Sequence, residues 1–263
     1  MNKDTLTQSR KNLLASLYQL TDTIPEVSGV FLGGSLAAKN SDAYSDIDFR
    51  ILIDETTDKK VILQQFIAQL PGILFIETQT DYYAVIHFDT FIKLDLFVYY
   101  PADLQPSPWL ANIAIYQDTN QLLTTIQKKS GELNYQPTQE EFDFYLTKYY
   151  AYLHEYYRRW QRQETHYQLS CELTLKHCLI SLWYMAKGVV PNSLGDWSKY
   201  EGPRTKLSSE EMTNLQQLSL VEESEFLLTI INQVATTAKK LATNYSLIFN
   251  QVDYSRITNI IIN

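Results

Sequence analysis

The strongest constraint on the fold lies in residues 29–53, GVFLGGSLAAKNSDAYSDIDFRILI. Val27 to Leu32 reads as a short buried strand, stopped by Gly33 and Gly34. A strand that runs into Gly-Gly-Ser can bring backbone amides close to a ligand, because neither glycine has a Cβ in the way. The Ser35 hydroxyl and the amides of such a turn suit a phosphate, more so if a helix begins near Leu36. Beyond a polar loop, Asp46 to Asp54 reads as a second strand. Asp46 and Asp48 are spaced i, i+2 on it, so their carboxylates project from one face while Ile47 and Phe49 turn to the core. Adjacent carboxylates repel unless a cation lies between them, and a hard ion such as Mg2+ takes oxygen ligands of this kind together with substrate phosphates.

A third acid completes the set. In FIKLDLFV (residues 91–98), Leu94 and Leu96 alternate with Lys93, Asp95 and Phe97. That pattern sets Asp95 on one face of a strand able to pair beside the Asp46 strand, and an acid in an apolar strand is uncommon without a partner.

Periodicity supplies the rest of the layout. Leu6, Leu13, Leu14, Leu17 and Leu20 predict an opening amphipathic helix, and Lys59 to Leu70 a helix ended by Pro71-Gly72. Ile73 to Glu77, Ala84 to Phe88 and Phe91 to Tyr100 read as strands. After a polar stretch at residues 129–137 the pattern changes: Phe142, Tyr145, Tyr149, Leu153, Tyr156 and Trp160 mark a long helix, opened by the capping box Thr138/Glu141. Helices over Leu169 to Lys187, from the box Ser208/Glu211 to Leu218, and over Glu222 to Phe249 follow; the closing NIIIN is left unassigned. The expectation is an α+β chain, with an α/β domain over 1–132, a helical bundle over 133–263, and the active site between the halves.

Composition narrows the partners. A net charge of −8 without a basic stripe disfavours a nucleic-acid backbone and leans toward a cationic small molecule. No apolar run approaches the roughly 20 residues of a membrane span, and MNKDTLTQSRKNLL lacks the stretch of a secretory signal, so a cytoplasmic location is expected. Cys171 and Cys178 read as buried thiols, the tyrosines of the long helix as packing, and Glu164 and Glu172 as a solvated helix face. The four histidines show no paired metal spacing.

Gly33-Gly34-Ser35 followed by Ser45-Asp46-x-Asp48, with Asp95 on a later strand, resembles the motif of the DNA polymerase β-like nucleotidyltransferase superfamily. The stretch from Leu173 to Trp197 is similar to a helix and loop of bacterial streptomycin/spectinomycin-type aminoglycoside adenylyltransferases, although Lys187-Gly188 reverses that group's Gly-Lys order and the loop before Ser45 lacks a Gly often found there. The resemblance implies an enzyme that uses Mg2+ and ATP or another NTP. Asp46, Asp48 and Asp95 would be the metal-binding and catalytic acids, and Gly33, Gly34, Ser35, Ser45 and Lys187 would contact the nucleotide. It implies transfer of a nucleoside monophosphate to a hydroxyl of a small molecule, an aminoglycoside foremost, with release of pyrophosphate. Two alternatives stand beside it: a toxin-type protein or RNA nucleotidyltransferase, and an inactive nucleotide-binding module.

Overall fold

The computed structural model describes residues 2–262 and divides into two units, residues 1–134 and 135–263.

In the first unit, α1 (Lys3–Thr21) is started by Asn2, whose side chain accepts from the Asp4 amide. Such a cap contributes about 1 kcal/mol. β1 (Val27–Leu32) runs into a single helical turn, α2 (Gly34–Ala37), and then β2 (Ile47–Ile53). α3 (Lys59–Gln69) is capped by Asp58 and followed by β3 (Ile73–Gln79), β4 (Tyr83–Phe88) and β5 (Lys93–Tyr99). β6 (Ala114–Asp118) and α4 (Leu122–Gly131) complete the unit. The strands form one sheet in the order β3-β4-β5-β2-β1-β6, with β2 and β5 parallel and the other neighbours antiparallel.

The two faces of this sheet are covered differently. On one, Val30, Ile47, Phe49, Ile51, Leu94, Leu96 and Val98 are buried together with Leu17 of α1 and Ile62, Leu63 and Phe66 of α3. On the other, Phe31 and Leu52 are buried under Leu110, Leu123 and Ile126, while Asp48, Asp95 and Phe97 along the same face keep partial exposure. Helical cover on this second face thus leaves the carboxylate end of β2 and β5 open to solvent. β3 is an edge strand on which Leu74, Phe75 and Ile76 are exposed.

The second unit is helical: α5 (Gln139–Gln161), α6 (Thr165–Ala186), α7 (Ser209–Gln217), α8 (Glu223–Tyr245) and α9 (Gln251–Ile262). Both expected capping boxes form, Thr138 with Glu141 and Ser208 with Glu211. α6 is buried nearly all round, including both cysteines, and burial pushes the Cys178 thiol up to about 12. Tyr149 of α5 shares a hydrogen bond with Tyr254 of α9 (3.1 Å), and the Tyr254 hydroxyl donates to the Ile231 carbonyl of α8 (2.6 Å). Among the described residues no helix is long and apolar enough to cross a membrane.

Several expectations are corrected. Asp46 precedes β2 rather than opening it. Phe91 is not in β5; it turns at φ +66 between β4 and β5 with its side chain exposed. The helix expected to run to Phe249 stops at Tyr245, because Ser246 adopts φ +55, and a further helix, α9, follows from Gln251. β6 and α4 carry no strong sequence signal: α4 begins after Gln121 in the left-handed region, and its first amides are satisfied by Asp118, which lies four residues before the helix. Of NIIIN, residues 259–262 are described and form the last turn of α9, with Ile261 buried.

Candidate active site

The open face is organised by register. Asp48 and Asp95 are direct partners on parallel neighbouring strands, so the two carboxylates stand side by side. Ile47 and Phe49 are fully buried on the other face, as alternation requires. The Gly33 amide donates to the Asp48 carbonyl (3.0 Å), which brings the glycine turn onto the start of β2. Gly34 has φ +58, and a Cβ there would lie 1.8 Å from Asp48 Oδ2. Glycine is therefore required at residue 34 on two counts, backbone conformation and space.

The loop that delivers Asp46 is pinned from α1. Arg10, nearly buried, donates to the carbonyls of Asp42 (2.5 Å) and Ser45 (3.0 Å). The Ser45 hydroxyl accepts from the Asp42 amide and bonds its carboxylate. Ser45 is buried and turned into its own loop, whereas Ser35 Oγ is buried on α2 with no hydrogen-bond partner among the described residues.

Two cations enter the cluster that the sequence reading did not use. Arg50 donates from Nη2 to Asp48 Oδ1 (3.0 Å) and from Nη1 to the Asp95 carbonyl (3.0 Å), with its guanidinium 4.2 Å from the Phe97 ring centroid. Lys93 Nζ lies 3.1 Å from Asp46 Oδ2 and 3.2 Å from Asp95 Oδ2. Both were detectable by the two-residue rule, since Arg50 follows Asp48 by two and Lys93 precedes Asp95 by two. Asp95 Oδ1 is buried and has no hydrogen-bond partner among the described residues. Burial raises the Asp95 carboxyl, Lys93 opposes that, and Asp46 and Asp48 add to it.

Lys187, at the C-terminus of α6 in the second unit, pairs with the Glu211 carboxylate and donates to the Lys206 carbonyl (2.8 Å). Glu172 pairs with Lys176, and Glu164 with Arg159 (2.7 Å), so each faces a basic side chain of its own unit. His177 is buried against Trp197 and Tyr200 and bonds the Asp196 carbonyl (3.1 Å), fastening the loop after α6.

Among the described residues no group of three or more His, Cys, Asp or Glu side chains is disposed to hold a metal ion. In the acidic cluster the carboxylates are drawn instead to Lys93 and Arg50. The donor set nevertheless suits a hard divalent cation. It is all oxygen, Asp95 Oδ1 is buried without a partner, and Asp48 Oδ2 faces a position kept clear of any Cβ.

No family model matches the sequence, and no curated protein matches it. Solved structures align with most of this chain at low similarity. One is an aminoglycoside 6-adenyltransferase from Bacillus subtilis, 13% identical, with a TM-score of 0.45 over 93% of this chain and 95% of that one. Another is a nucleotidyltransferase-like protein from Exiguobacterium sibiricum 255-15, 14% identical, with a TM-score of 0.43 over 89% of this chain and 75% of that one. What the site can do chemically is decided by its own residues.

Proposed function

We propose that this protein is a Mg2+-dependent nucleotidyltransferase that moves a nucleoside monophosphate, AMP from ATP foremost, to a hydroxyl of a small molecule. The observation that carries the reading is the side-by-side register of Asp48 and Asp95 beneath a glycine turn with room for no side chain at residue 34. Asp46, Asp48 and Asp95 would hold Mg2+, which when bound neutralises phosphate charge and polarises the phosphorus under attack. The Gly33–Ser35 turn would hold the outer phosphates through the Ser35 hydroxyl and the amides beyond Gly33, whose own N–H is taken by the Asp48 carbonyl. The acceptor oxygen forms a bond to the α-phosphorus as the bond to the β-phosphate oxygen breaks, and pyrophosphate leaves. Asp95 would complete the metal shell or take the acceptor's hydroxyl proton. Ser45 supports the loop. Lys187 would have to leave Glu211 to meet a triphosphate, so the reading stands on the residues of the first unit.

The net charge of −8 favours a cationic acceptor, and an aminoglycoside meets that description. The test is pyrophosphate release with Mg2+ and each of the four NTPs, across aminoglycosides, lincosamides and no acceptor. Release that requires one acceptor supports the proposal and names the substrate class. A second reading, a nucleotide-binding module without turnover, is favoured by the way Arg50 and Lys93 already supply counter-charge to the acids. Mg-ATP binding with no release under any acceptor would select it.

A further inference from the structure

Each of the two paired acids on β2 and β5 has one oxygen committed to a cation of the chain and one turned elsewhere. Asp48 gives Oδ1 to Arg50 and sets Oδ2 against Gly34; Asp95 gives Oδ2 to Lys93 and leaves Oδ1 buried without a partner. The two cations are held very differently. The Arg50 side chain is 8% exposed, fixed by two carbonyl contacts, the Asp48 bond and the Phe97 ring. The Lys93 side chain is 37% exposed, and its ammonium is held by Asp46 and Asp95 alone among the described residues. Moving Arg50 would strand a buried guanidinium, whereas Lys93 can pass into water on a flexible stem at little cost.

We infer that Lys93 is a displaceable counter-ion: its ammonium holds Asp46 and Asp95 together until a divalent cation takes their oxygens, while Arg50 remains on Asp48 throughout. Lys93 is thus a positioning residue that competes with the metal for the same carboxylates and lowers the apparent affinity for it. Arg50 presets Asp48 to offer Oδ2. This inference rests on the cation site in the proposed function but goes beyond it, because such a site does not by itself require a resident competitor. The charge balance is simple: one ammonium leaves two carboxylates as one divalent ion arrives, and no covalent bond changes.

The test titrates the full chain with Mn2+ at low ionic strength, reading free ion by electron paramagnetic resonance, with no substrate and no turnover. Lys93→Met, with Lys93→Gln as a second form should the first unfold, should bind Mn2+ about tenfold more tightly than the parent. Without the ion, both should melt lower than the parent. Lys93→Arg should keep parental affinity to within about threefold. Lys60→Met removes a surface charge paired to Asp81, and should change affinity less than twofold. Equal or weaker binding by Lys93→Met, or an equal gain in Lys60→Met, would overturn the displacement while leaving the cation site intact. An absence of Mn2+ binding in the parent and in both uncharged variants would sink the site itself and the inference with it.

Discussion

A methyl group added at Gly34 would sit 1.8 Å from Asp48 Oδ2, closer than any non-bonded contact allows. The glycine turn and the first acid of β2 are therefore a single fitted unit. Gly34→Ala must either push the carboxylate aside or move the turn, and it also places a side chain at φ +58. The backbone term alone is about 1 kcal/mol. Pyrophosphate release should fall by at least about a hundredfold, consistent with loss of positioning, while the melting temperature drops by only a few degrees. Gly33→Ala meets the Trp109 ring edge at 3.2 Å instead and should be milder in both measurements.

Arg50 should matter for stability as well as for the site. Arg50→Met leaves Asp48 Oδ1 without its guanidinium and removes one donor from the Asp95 carbonyl. Because Asp48 keeps some exposure, a cost of about 2 kcal/mol is expected, below the usual figure for a fully buried pair. Urea unfolding measures it. Arg50→Lys should recover part of the loss, since an ammonium can meet one oxygen but cannot also reach along β5 as the planar fork does.

His177 gives the second unit a pH dependence. Burial holds its imidazole below the ordinary value, and the folded chain therefore keeps it neutral where the unfolded chain takes up a proton. Stability contributed by the neutral ring is complete above an unfolded value of about 6.5 and is lost as pH falls below it. The urea midpoint should drop between pH 7.5 and 5.5. His177→Gln, although less stable at pH 7.5, should show a shallower drop, and an unchanged slope would remove His177 as the cause.

Tyr149 and Tyr254 separate two kinds of hydroxyl. Tyr149→Phe removes one buried hydrogen bond and leaves Tyr254 bonded to the Ile231 carbonyl, a loss of about 1 kcal/mol. Tyr254→Phe removes that bond and also strands the Tyr149 hydroxyl, and should cost about 2 kcal/mol or more. Thermal denaturation of the two variants in parallel checks the order.

The legible parts of this chain were those set by short-range rules. β1 could be read to its last residue because an apolar run meets two glycines, and the capping boxes at Thr138 and Ser208 carry their own spacing. The side-by-side placement of Asp48 and Asp95 followed from alternation on two strands, but their register depends on parallel pairing across α3, β3 and β4, which no local pattern encodes. Phe91 illustrates the opposite failure. Its aromatic ring suited a strand, yet the tight return from β4 to β5 needed a residue at positive φ, and the turn prevailed over propensity. Arg50 and Lys93 carry the two-residue spacing to Asp48 and Asp95, but the bridge from Lys93 to Asp46 depends on the pairing of β2 with β5, which local spacing does not encode.

With Arg50 and Lys93 in place, the three acids retain a single uncompensated negative charge rather than three. Assembly of this corner of the sheet is therefore uncoupled from ion supply, unlike a zinc finger, whose chain stays unfolded until metal arrives. The protein should survive purification in a chelator with its β2–β5 pairing intact. The two basic side chains serve as an internal scaffold, present from synthesis onward, against which the charged corner is built.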